Sequence, residues 1–74
     1  MTDEFKKDLE FICFSVIGDH TEPENYRIVE EEDGKVKVYV KKNKLYSPKE
    51  FVIEDWEREV EDREEFSNVE LCFE

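Results

Sequence analysis

The strongest constraint in this chain is Asp33-Gly34, set between two β-rich runs. Tyr26-Arg27-Ile28-Val29-Glu30-Glu31-Glu32 precedes the pair, and Lys35-Val36-Lys37-Val38-Tyr39-Val40 follows it. An Asp-Gly pair in this setting predicts a β-hairpin closed by a two-residue type I′ turn. That turn sets Glu32 opposite Lys35, Glu30 opposite Lys37 and Ile28 opposite Tyr39. It assigns Val29, Val36, Val38 and Val40 to the core face. The outer face then carries two opposite-charge pairs, with Tyr26, Ile28 and Tyr39 as an apolar patch.

A lone hairpin is marginal in water, so further elements must cover the valines. Thr2 is a suitable N-cap, with Asp3 and Glu4 in the first turn, where the helix dipole favours negative charge. Phe5, Leu9, Ile12 and Val16 follow at helical spacing, and Gly18 suits the residue after the end. This predicts a helix over about residues 3–17. The near-continuous apolar run over residues 10–17 leaves a buried strand as the competing reading. Ser47-Pro48-Lys49-Glu50 has the form of a capping box with proline at the first helical position. Tyr46 and Phe51 stand at staple spacing. A second helix is expected from there to about residue 62, with Ile53, Trp56 and Val60 inward. Val69, Leu71 and Phe73 alternate with Glu70, Cys72 and Glu74, the period of a half-buried strand. The expected fold is α+β: one domain over residues 1–74, ordered α-β-β-α-β. Its three-stranded, mostly antiparallel sheet packs against the helices.

Cys13 and Cys72 are far apart and in no CxxC pair. Such spacing predicts two reduced thiols rather than a disulfide framework. No apolar run approaches the ~20 residues of a membrane span. The acids around Lys6 and Lys7 do not suit a signal peptide, so a cytoplasmic location is expected.

The chemistry inventory points away from catalysis. His20 is the only histidine and reads as a solvated loop residue, with no triad around it. Two glycines cannot build a phosphate loop, and no metal-ligand spacing is present. The expectation is a non-enzyme with no cofactor and no metal.

Charge carries the remaining signal. The chain has 22 acidic and 11 basic side chains, a net charge of −11. That field opposes direct binding to nucleic acid or an anionic membrane. All six basic residues between 34 and 49 are lysines, with no acid among them. Glu50, Glu54, Glu57, Glu61 and Glu64 recur at helical spacing, and like charges so placed cost ~0.2–0.5 kcal/mol per pair. A row of carboxylates on a rigid helix imitates a phosphate backbone. The expected partner-binding residues are Glu54, Glu57, Glu61, Glu64 and Glu65, with Glu30, Glu31, Glu32 and Asp33. The expected partner is a basic nucleic-acid-binding protein whose groove they block. Small inhibitors of the phage or mobile-element anti-defence class, anti-restriction and anti-CRISPR proteins among them, work by this physics. No motif here places the chain in any of those families. The rival expectation is a small assembly protein, monomer or homodimer, that binds through the Tyr26, Ile28 and Tyr39 patch. In that case the acids only solubilise it.

Overall fold

The computed structural model describes Met1–Glu74. Helix α1 (Asp3–Val16) leads through short 3-10 turns to strands β1 (Tyr26–Glu30) and β2 (Val36–Val40). Helix α2 (Lys49–Val60), another 3-10 turn and strand β3 (Val69–Phe73) complete the chain. The α+β fold and its α-β-β-α-β order stand as expected, and residues 10–16 are helical. The sheet is mixed rather than mostly antiparallel. β2 is central, antiparallel to β1 and parallel to β3. The parallel pair follows from α2, which lies between β2 and β3 in the chain. A strand reached through a helical crossover returns in its predecessor's direction.

Thr2 caps α1 as the sequence indicates, its hydroxyl accepting from the Phe5 N–H at 3.1 Å. Leu9, Ile12, Cys13 and Val16 bury the inner stripe of α1. They meet Val36, Val38 and Val40 of β2, with Val52 and Trp56 of α2 and Phe66. Val38 and Val40 are wholly inaccessible, and full burial of such a side chain is worth ~1.5–3 kcal/mol. No helix is long and apolar enough to cross a membrane.

The hairpin register differs by one residue from the expected one. Ile28 stands opposite Val38, Val29 opposite Lys37, and Glu30 opposite Val36. The cause is in the turn. A type I′ turn needs positive φ at both central residues, and Asp33 does not adopt it. Only Gly34 does, at φ 86°. The chain instead closes a three-residue loop. The Glu31 N–H donates to the Lys35 carbonyl, and the Gly34 N–H to the Glu31 carbonyl. The Asp33 carboxylate accepts from the Lys35 N–H at 3.0 Å. A type I turn ending on a left-handed glycine is the next most common hairpin closure.

The slip reverses one strand. Tyr26 and Ile28 now pack on the core side, while Val29 joins Lys37 and Tyr39 on the face away from the helices. The supposed Tyr26, Ile28 and Tyr39 patch is therefore divided between opposite faces. Cys72 lies beside Tyr39 on that outer face, whereas Cys13 is in the core. Both thiols are free. Burial, then the nearby Glu10 carboxylate, pushes the Cys13 thiol up to about 12.

Two helix boundaries also differ. Gly18 lies in the 3-10 turn Ile17–Asp19 without positive φ, so it is no left-handed cap. The capping box at α2 does not form: the helix starts at Lys49, and its first turn has no side-chain cap. Tyr46 and Phe51 stay exposed, so no staple closes.

The turn geometry predicts that Gly34→Ala lowers stability by ~1 kcal/mol or more, because Cβ strains a left-handed residue. Gly18→Ala, with nothing within 4 Å of the added carbon, should leave the midpoint unchanged or raise it. Urea unfolding of the two variants checks this. Equal costs would contradict the assigned turn.

Candidate interaction surface

The acidic residues singled out from the sequence form two groups rather than one row. Glu54 and Glu57 lie on the outer face of α2, and Glu61 continues that row as its C-cap in helical geometry. The row stops there. Arg63 leaves helical geometry, and Glu64, Glu65 and Phe66 form a 3-10 turn. Phe66, the last residue of that turn, is drawn into the core. Its ring is buried against Phe5, with centroids 5.3 Å apart.

The turn carries Glu65 toward the hairpin, where it shares a shallow depression with Glu30, Met1 and Thr2. Glu30 is neutralised there by the N-terminal ammonium at 2.7 Å. Glu31, Glu32 and Asp33 line a separate open hollow with Lys37. Glu31 lies 3.8 Å from Lys37 and accepts from the Tyr39 hydroxyl at 3.3 Å. Glu54 pairs with Arg58 at 3.1 Å. Glu32, Asp33, Glu57, Glu61, Glu64 and Glu65 have no cation within 4.0 Å. Across the chain, six of the 22 acidic side chains have such a partner and sixteen have none.

The basic residues do not gather against them. Arg27 reaches across the outer sheet face to Glu74 and lies 4.6 Å over the Tyr39 ring. The Arg27 guanidinium holds the Glu74 carboxyl below its usual value. Lys41, Lys42 and Lys44 stay exposed on the connection after β2.

Sequence reasoning missed one polar cluster. His20 is not a solvated loop residue: its side chain is 14% exposed and bound through both ring nitrogens. Nδ1 meets the Ser47 hydroxyl at 2.7 Å, and Nε2 meets an Asp55 carboxylate oxygen at 2.7 Å. In the neutral Nε2–H tautomer the ring donates to Asp55 and accepts from Ser47. This takes the Ser47 hydroxyl away from the helix cap. Thr21, 1% exposed, adds a second tie by donating to the Lys44 carbonyl at 2.9 Å and accepting from Asn25 at 3.0 Å. Together these bonds bind the loop after α1 to the entry of α2.

Serine, histidine and aspartate in this order are the side chains of nucleophilic hydrolases. In those enzymes the ring's Nε2 faces the serine, the reverse of the arrangement here. None of the surface depressions is lined by Ser47, His20 or Asp55. The cluster acts as a clamp between two segments. No group of three or more His, Cys, Asp or Glu side chains is placed to hold a metal ion. Comparison with protein-family models, curated proteins and solved structures found no match.

A part-buried hydrogen bond to a charged group contributes ~1.5–3 kcal/mol. His20→Ala should therefore lower unfolding stability by about that amount, and Ser47→Ala by less. Denaturant midpoints measure both. A His20→Ala midpoint equal to that of the parent chain would show that the clamp does not hold the fold.

Proposed function

We propose that this chain is a non-enzymatic acidic inhibitor that occupies the basic groove of a nucleic-acid-processing protein. The observation that carries the reading is the excess of unpartnered carboxylates on a small rigid body. The fold could have neutralised them with lysines at helical spacing and does not. Glu57 and Glu61 stand four residues apart on α2, a separation of ~5–6 Å between Cβ atoms. That spacing is on the scale of successive phosphates. Glu64 and Glu65 extend the charge past the helix end toward the hairpin. A basic groove would exchange its counterions for this surface as it does for a polynucleotide. The phage or mobile-element anti-defence setting fits such a mode of action, and a cytoplasmic site of action follows from it.

The helix break divides the labour. Glu54, Glu57 and Glu61 form the part with regular spacing, while Glu65 and the hairpin acids Glu30 to Asp33 form a second contact region. Partly neutralised Glu30, Glu31 and Glu54 contribute less than the free carboxylates.

The test is capture from bacterial lysate on columns of the parent chain and of Glu57→Lys/Glu61→Lys. The parent column should retain nucleic-acid-processing proteins that duplex DNA or high salt releases, and the variant column should lose them. Retention that resists both washes, or equal retention on both columns, would overturn the proposal.

A further inference from the structure

The β1 edge of the sheet carries a feature that the acidic surface does not use. Helix α1 overhangs that edge and forms an open groove of about 660 Å³ with it. Phe11 and Phe14 line the groove from α1, with Tyr26 and Ile28 from the strand. The two phenylalanines are 70% and 64% exposed, although the core next to them takes Leu9, Ile12 and Cys13. Solvent-facing aromatics at this density, in a chain so rich in charge, mark a contact site.

The strand edge beside them has no neighbouring strand. The Lys41 N–H donates to the Asn25 carbonyl and the Glu31 N–H to the Lys35 carbonyl. Antiparallel pairs alternate between hydrogen-bonded and open. Arg27 and Val29 therefore point their backbone groups at β2, while Ile28 and Glu30 point theirs outward; the Tyr26 N–H is held by the Pro23 carbonyl. Unpaired strand edges are templates for a further strand unless something blunts them. β1 has no proline and no bulge.

We propose that this groove receives an extended segment of a partner protein, added as a fourth strand against β1. The segment carries apolar side chains for Phe11, Phe14 and Ile28, and carboxylates for Lys6 and Lys7. Those lysines are the only cations of α1, and both line the groove. Asp3, Glu4 and Asp8 do not line it, and Glu10 is its single acid. A second copy of the chain fits poorly. Antiparallel pairing of two β1 strands about Ile28 sets Glu30 of each copy against Tyr26 of the other, with no cation facing the carboxylate. It also joins two bodies of net charge −11. Main-chain pairing with pockets for alternate side chains is a recurring mode of peptide recognition. The site is separate from the carboxylates of α2.

The test is selection of random dodecapeptides displayed on phage, with the full chain as bait. Phe11→Glu/Phe14→Glu serves as a depletion bait, since both positions are solvent-exposed. Enriched peptides should alternate apolar residues with Asp or Glu and bind that variant roughly tenfold or more weakly. They should also slow exchange of the Ile28 amide proton. Ile28→Pro removes an outward N–H without touching the β1–β2 ladder and should weaken the same peptides. Glu57→Lys/Glu61→Lys should leave them unchanged, which separates this site from the acidic surface. No enrichment, enrichment of basic peptides, or equal binding to the Phe11→Glu/Phe14→Glu variant would overturn the proposal. So would a dimer in sedimentation that Ile28→Pro dissociates, because the groove would then belong to a second copy.

Discussion

Burial of one face of the central strand holds this molecule together. Val36, Val38 and Val40 take all their apolar contact on one side of β2, and every other element is placed by the need to cover them. α1 and α2 supply the cover, and β1 and β3 supply the two hydrogen-bonding neighbours. Few side chains in so short a chain reach full burial, so large aromatics complete the core from a distance. Trp56 does so from α2. Phe66 does so from the 3-10 turn that follows the end of α2, where the regular acidic row also stops.

Charge and core place different demands on the same residues. Sixteen carboxylates lack a cation within 4.0 Å, and such a surface repels itself in the compact state. The polar clamp of His20, Ser47, Asp55 and Thr21 counters that tendency where the two helices' connections meet. It does so with hydrogen bonds in partly excluded positions, which keep more of their strength than surface pairs. A domain near this length gains only a few kcal/mol from its core, so bonds of this kind are a large share of the whole.

Much of the fold was legible in the sequence, because local signals and burial pattern agreed there. Thr2 with the Phe5, Leu9, Ile12 and Val16 stripe gave α1, and the valine alternation gave β2. The errors came where one local signal had two outcomes. Asp33-Gly34 serves both a two-residue and a three-residue loop, and only the conformation of Asp33 decides between them. Ser47 suits a cap, but a histidine 27 residues earlier claims its hydroxyl. No local pattern announces that partner. The acidic residues were legible as a charge excess. Their division into two groups was not, since it depends on where α2 ends and the 3-10 turn begins. The α1–β1 groove was not legible either, because it needs β1 at the side of the sheet and a register, set by the turn, that decides which β1 residues face outward.

The β1–β2 register is the claim on which the core face, the divided tyrosines and the open edge all depend. NMR cross-peaks between the α-protons of facing residues measure it directly. Open antiparallel pairs bring their α-carbons to ~4.5 Å, so the account predicts strong cross-peaks between Ile28 and Val38 and between Tyr26 and Val40. The Ile28 amide should exchange quickly and those of Arg27 and Val29 slowly. A cross-peak between Val29 and Val38 instead, with a protected Ile28 amide, would contradict the register and everything built on it.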